Sequence, residues 1–163
     1  MPTLRPITDR DVEDVLALNH RNVVKLAPLD VERLHLLRGW ADRIDVVDVD
    51  GGFGGFVITF GPGTAYDSKN YRWFTDRYGE DFYYLDRIVL HEDFRRRGLG
   101  GFVYDEVEQV ARKHGRMALE VNLVPRNDAS LAFHQRRGYV EVGRLGDEEH
   151  LVSLMERTWS DQA

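Results

Sequence analysis

The sequence predicts one domain of the α/β (α+β) class, a mixed β-sheet with helices packed on its faces. Strand-like runs at 44–49, 53–60, 82–90 and 117–124 are interleaved with stretches of helical periodicity. The run from 82 to 124 reads as strand, loop, helix, strand, a unit that lays two strands in the same direction within one sheet. Finally, 163 residues can bury about two thirds of their unfolded surface, enough for one core and short of two.

Taken in order, Thr3 to Ile7 can form a first strand, and TDRDVEDV opens a helix near Thr8 or Asp9 whose apolar stripe is Val12, Val15, Leu16, Leu18 and Val23. Acidic residues in its first turn suit the helix dipole. A second helix follows the PLD turn, with Asp30 as cap and Leu34, Leu37 and Trp40 on the buried side. Two strands, Ile44–Val49 and Phe53–Phe60, are joined by a turn at Gly51 and Gly52. The next segment, 61–81, is long for a connection, and its Tyr66, Tyr71, Trp73, Phe74 and Tyr78 suit a lid, a pocket wall or a cover for the core.

FYYLDRIVL, 82–90, is the best central strand, and Leu99, Phe102, Val103, Val107, Val110 and Ala111 give 98–114 a helical stripe. A strand at 117–124, a helix at 129–136 and strands at 139–145 and 150–157 complete the chain.

Composition narrows the function. With 42% hydrophobic and 31% charged residues the chain is of ordinary globular type, and a net charge of −6 argues against a general nucleic-acid surface. The absence of cysteine excludes a disulfide framework, a thiolate metal site and a cysteine nucleophile. No segment approaches 18 apolar residues and MPTLRPITDRD has no signal-peptide character, so a cytoplasmic location and no membrane partner are expected.

The most informative stretch is "HEDFRRRGLGGFVYDEVEQVARKHG", 91–115, where three arginines lead into glycines at the start of a helix. A loop entering a helix presents unpaired backbone N–H groups, and the helix terminus favours negative charge, so it can cradle a diphosphate. Gly98 and Gly100 permit close approach, and Arg95, Arg96 and Arg97 can hold further phosphate oxygens. The loop lacks the lysine and following serine or threonine of a P-loop, and it does not fit the dinucleotide pattern.

Arg95, Gly98 and Gly100, with the second block "NDASLAFHQRRGYVEVG" and the terminal "LVSLMER", resemble the GNAT superfamily of acyl-CoA-dependent N-acyltransferases over essentially the whole chain. The resemblance implies a single mixed, mostly antiparallel sheet with helices on both faces, acetyl-CoA as acyl donor, and direct transfer to an amine. It assigns donor binding to the strand residues Ile88, Val89 and Leu90, to the loop Arg95, Arg96, Arg97, Gly98, Leu99, Gly100 and Gly101, and to Asn127, Ser130, Phe133 and His134 of the second block. The carbonyl polariser would be a backbone N–H on that strand, at Val89 or Leu90.

Amine acylation also needs a proton acceptor for the ammonium and a donor for the leaving sulfur. Asp86 and Glu120 stand inside apolar strands, where a carboxylate is costly unless it faces a cavity or a partner, and both are candidate bases; His91 is a weaker one. The alternative for each is structural, Asp86 pairing with Arg87 or another arginine and Glu120 anchoring a turn. His134 stands where the family often has a tyrosine acid, and could donate as imidazolium, bind the donor without titrating, or simply pack.

For the acceptor, the aromatics between Tyr66 and Tyr84 could enclose a small amine, with Asp67, Asp76, Glu80 and Asp81 attracting its charge. Tyr83 and Tyr84 alternate across their strand, so only one can face the cleft. A small amine or amino-acid substrate is the leading expectation; protein N-termini or lysines, or a catalytically idle acyl-CoA-binding module, are the alternatives. A homodimer is compatible with the apolar last strands.

Overall fold

The computed structural model describes residues 1–22, 26–94 and 97–160. Seven strands are named in chain order: β1 (Pro2–Pro6), β2 (Arg43–Val49), β3 (Gly52–Phe60), β4 (Tyr83–Leu90), β5 (Arg116–Val124), β6 (Val140–Gly146) and β7 (Leu151–Thr158). They form one sheet in the order β1-β2-β3-β4-β5-β7-β6. Every neighbouring pair is antiparallel except β4 and β5, which run parallel. The helices are α1 (Val12–Arg21), α2 (Val31–Trp40), α3 (Lys69–Tyr78), α4 (Leu99–Ala111) and α5 (Asp128–Arg136).

Two apolar layers cover the sheet. On one face Val15 and Leu18 of α1, Leu34 and Leu37 of α2 and Tyr71 and Phe74 of α3 pack on Phe56, Ile58, Phe60 and Tyr84. On the other, Leu99, Val103 and Val107 of α4 and Leu131 of α5 pack on Val47, Val57, Tyr83 and Leu119. The period-2 pattern of β4 thus sends Tyr83 to one layer and Tyr84 to the other, as alternation requires. Val23, included above in the α1 stripe, lies outside the described residues.

The segment 61–81, read above as long for a connection with no element assigned, holds the helix α3. Ser68 caps it by accepting from the Tyr71 N–H, and Tyr71, Phe74 and Tyr78 fall on one face at helical spacing. Its many polar residues hide that stripe in the sequence. Asp30 caps α2 as expected, accepting from the Arg33 N–H at 2.7 Å.

Two irregularities of the sheet prepare the site. First, β4 and β5 pair only at Tyr83 with Met117 and Tyr84 with Ala118, and beyond these no further pair links them among the described residues. The parallel strands splay, and a cleft opens between them. Second, Ile58 faces Arg87 while Thr59 faces Leu85, so Asp86 is an extra residue in β4 opposite its partner strand. Such a bulge re-aims side chains, and it brings Asp86 and Arg87, which ordinary alternation would send to opposite faces, into contact.

Candidate active site

The cleft between the splayed strands has a volume of about 530 Å³. Its floor and walls come from Asp86 to Leu90 of β4 and Leu119 to Asn122 of β5, with Tyr104 of α4 and Asn127, Ser130 and His134 around α5 at one end. Arg33, Tyr66, Asp67, Ser68 and Asn70 line the other end.

Glu120 sits on the floor. The Tyr84 hydroxyl donates to its Oε1 at 2.5 Å, and Asn70 supplies a second hydrogen bond. Loss of hydration and the nearby Asp86 charge push its carboxyl up to about 8, even though both hydrogen bonds and Arg87 favour the anion. A carboxylate so poised can take a proton near neutral pH and release it again.

Asp86 is more fully engaged. Tyr66 donates to its Oδ1 at 2.5 Å and Arg87 Nε to its Oδ2 at 2.9 Å, in an ion pair whose side chains are each 6% exposed. Arg87 Nη1 also reaches Asn19 Oδ1 and the Ala27 carbonyl, both at 3.1 Å, tying the end of α1 and the segment before α2 to the bulge. The structural alternative for Asp86, pairing with Arg87, is therefore present in the geometry. Burial, with the Asp86 charge, pushes the Tyr66 phenol well up.

His134 is buried, and both ring nitrogens are occupied. Nδ1 lies 2.7 Å from the Ser130 carbonyl and Nε2 lies 2.5 Å from the Tyr104 hydroxyl. A carbonyl can only accept, so Nδ1 carries the hydrogen; in the neutral ring Nε2 then accepts from Tyr104. Burial lowers the imidazole pKa below its ordinary value, which favours that neutral form.

The phosphate end is built by α4. Gly98 caps the helix in the left-handed region at φ 73° without any side-chain hydrogen bond, and among the described residues nothing lies within 4 Å of the position a Cβ would take. The first N–H groups of a helix have no intrahelical acceptor. Gly100 faces Phe133, whose ring would be 3.8 Å from an added Cβ, so this glycine avoids no clash within the chain itself.

On β4, backbone direction follows from the pairing with β3. His91 N–H donates to the Gly54 carbonyl at 2.8 Å, and a Cβ at Gly55 would stand 2.2 Å from the Val89 carbonyl oxygen. Residues 89 and 91 therefore direct their backbone groups to β3, and Ile88 and Leu90 direct theirs to the cleft. Of the two expected polarisers, this turns Val89 N–H away and leaves Leu90.

The family model for the acetyltransferase (GNAT) family matches residues 20–139. The chain belongs to the GNAT family. No curated protein matches it by sequence. Among solved structures it is similar to Ard1 from Thermoplasma volcanium, at a TM-score of 0.75 and 18% identity over 98% of this chain and 99% of that one. It is likewise similar to the ribosomal-protein-S18-alanine N-acetyltransferase from Escherichia coli, at 0.73 and 18% over 100% and 97%. Naa20 from Chaetomium thermophilum, in complex with a bisubstrate analogue, gives 0.70 and 16% over 96% and 86%.

GNAT membership makes the chain an N-acetyltransferase with acetyl-CoA as donor, and the expected mixed, mostly antiparallel sheet is the one observed. The residues present fit that donor: a helix N-terminus with no side-chain cap and a glycine at Gly98 for the pyrophosphate, and cleft-facing backbone at Ile88 and Leu90 for the acyl arm. Asn127 caps α5 by accepting from the Ser130 N–H at 3.2 Å and lines the cleft beside it. Among the described residues no helix is long and apolar enough to cross a membrane, and no cluster of ligands could hold a metal.

Of the residues named from sequence, Asp86, Glu120, His134, Asn127, Ser130 and Ile88 to Leu90 meet in the cleft. Arg95 and Arg96 lie outside the described residues, and Arg97 is exposed, its guanidinium over the Phe94 ring. His91 hydrogen-bonds the Asp93 N–H and lies off the cleft lining. Of the four acidic residues expected to attract an amine, only Asp67 lines the cleft, and Arg33 holds it through two bonds of 2.6 and 2.9 Å. Asp76, Glu80 and Asp81 are exposed elsewhere. Tyr66, one of the aromatics expected to wall a pocket, does line the cleft. Asn70, Arg87 and Tyr104 were missed as site residues; only the place of Arg87 within an apolar strand, beside Asp86, gave a signal.

Proposed function

We propose that the protein moves an acetyl group from acetyl-CoA directly to the primary amine of a small molecule or amino acid, with Glu120 as the acceptor of the ammonium proton. The observation that carries this reading is the Glu120 carboxyl on the cleft floor, pushed up to about 8 between Tyr84 and Asn70. An ammonium entering the cleft lowers that value by its own charge, and the carboxylate then takes its proton. Leu90, or Ile88 beside it, offers a backbone N–H to the thioester oxygen. Asp86, held by Arg87 and Tyr66, contributes fixed negative charge to the acceptor end.

Size supports a small acceptor. The cleft of about 530 Å³ is shared by the donor's acyl end and the acceptor, and the Arg33–Asp67 pair and Tyr66 bound its far end. The absence of any cysteine fits transfer without an acyl-enzyme.

Release of CoA from acetyl-CoA, measured against amines, amino acids and short peptides with wild type and Glu120→Gln, tests the reading. Turnover of free amines or amino acids that falls 10²-fold or more in Glu120→Gln is expected. Turnover confined to peptides would move the acceptor to protein N-termini or lysines.

A further inference from the structure

Forming an amide from an ammonium removes two protons from nitrogen, while the sulfur that leaves gains one. Glu120 accounts for the first proton only. Beside the Tyr66–Asp86–Arg87 chain, whose groups are held by one another, a second chain of ionisable side chains lines the cleft, the Tyr104 hydroxyl from α4 and, behind it, His134 from α5.

We infer that Tyr104, backed by His134, is a two-way proton relay that takes the second proton from the nitrogen and returns it to the sulfur. The inference rests on the acetyl-transfer reading above. Its ground is the hydrogen-bond polarity: the Ser130 carbonyl fixes the hydrogen on Nδ1, so Nε2 presents a lone pair and the Tyr104 O–H points at it. With its hydrogen engaged by Nε2, the Tyr104 oxygen, on the cleft lining, keeps its lone pairs free to accept a proton. In this resting state the pair cannot act as the acid expected of His134 from sequence.

The protons balance as follows. As nitrogen bonds to the carbonyl carbon, its second proton passes to the Tyr104 oxygen while the tyrosine's own proton passes to Nε2, leaving an imidazolium. As the carbon–sulfur bond breaks, its electron pair goes to sulfur. The Tyr104 hydroxyl protonates that sulfur, and Nε2–H returns a proton to the phenol. Both side chains end as they began, and the one net proton leaves by Glu120.

The surroundings of the ring suit a brief rather than a lasting charge. Arg137 from the end of α5 opposes the imidazolium, Glu108 and Tyr104 come from α4, Tyr139 follows α5, and Glu120 acts on Tyr104 from β5. Glu108 is itself taken up by Arg137 at 2.7 Å, Arg157 at 3.1 Å and the Tyr139 hydroxyl at 2.7 Å. The ring is thus left neutral at rest and able to accept.

The experiment has two arms. Nitrogen-15 NMR of the ring in the free enzyme at pH 7.5 should show His134 as the neutral Nδ1–H tautomer; an Nε2–H tautomer overturns the relay whatever the acceptor. Kinetics of Tyr104→Phe and His134→Gln form the other arm, the glutamine retaining an acceptor for the Tyr104 hydroxyl while lacking basicity. A fall in kcat of about 10²-fold or more in both, with KM for acetyl-CoA within about threefold, is expected. A His134→Gln enzyme that retains its kcat, with unchanged near-ultraviolet circular dichroism, shows that a hydrogen bond suffices and overturns the relay while the acetyl-transfer reading stands. If wild type acetylates no amine, that reading fails and the relay falls with it, whereas the tautomer still reports the resting polarity.

Discussion

The Tyr84 hydroxyl of β4 reaches across to Glu120 Oε1 of β5 at 2.5 Å, joining the two parallel strands just beyond the point where their backbone pairing stops. The bond favours the carboxylate and opposes the burial that raises its pKa. Tyr84→Phe should therefore raise the Glu120 pKa further above about 8, by roughly one unit for a hydrogen bond to a charged group. Carbon-13 NMR titration of the Glu120 carboxyl in wild type and variant checks it.

The same carboxyl makes stability pH-dependent. Its folded pKa of about 8 lies above the ordinary 4.5, so between those values the folded chain holds a proton that the unfolded chain has released. Stability is therefore lost as pH rises through this window. Glu120→Gln removes the cost, on the order of 2 kcal/mol for a carboxyl that is only half-buried, and should raise Tm at pH 8.5 by roughly 4–8 °C while leaving it nearly unchanged at pH 4.5. Calorimetry at the two pH values reads it directly; an equal shift at both would disconnect the effect from this titration.

Much of this arrangement was legible beforehand, for identifiable reasons. The strand at 82–90 and the helix after Gly98 were marked by apolar periodicity, and Glu120 and Asp86 by the oddity of a carboxylate in an apolar run. What escaped were facts of register and direction. The extra residue at Asp86 depends on how β4 meets β3, so the sequence could not distinguish a free base from one paired with Arg87. Tyr104 stood outside the apolar stripe read for α4 and drew no role, because its polar end matters only once α5 brings His134 to it. α3 was hidden by its own polar residues, of which Lys69, Arg72, Asp76 and Arg77 are exposed and Asn70 turns to the cleft.

The Asp86–Arg87 pair is buried on both sides, so removing one partner strands the other. Arg87→Met should cost about 3–5 kcal/mol in urea unfolding and also loosen the α1 end through Asn19 and Ala27. Adding Asp86→Asn should recover part of that loss. A single variant as stable as wild type would show the pair to be solvated.

At Gly98 the backbone itself sets the residue. A side chain at φ 73° costs about 1 kcal/mol. An alanine there would also stand in the open space before α4. Gly98→Ala should raise KM for acetyl-CoA several-fold with little change in kcat, whereas Gly115→Ala, at φ 84° and away from the cleft, should lower stability alone. Steady-state kinetics beside thermal melts separates the two.

The central claim is that Glu120 accepts the substrate's proton. Its most direct test is the pH dependence of kcat/KM, using an acceptor amine that ionises well above pH 10, in wild type and Glu120→Gln. A limb rising through about pH 8 in wild type, absent from the weakly active glutamine enzyme, is the predicted result. The same limb in both enzymes would contradict the assignment and place the base elsewhere.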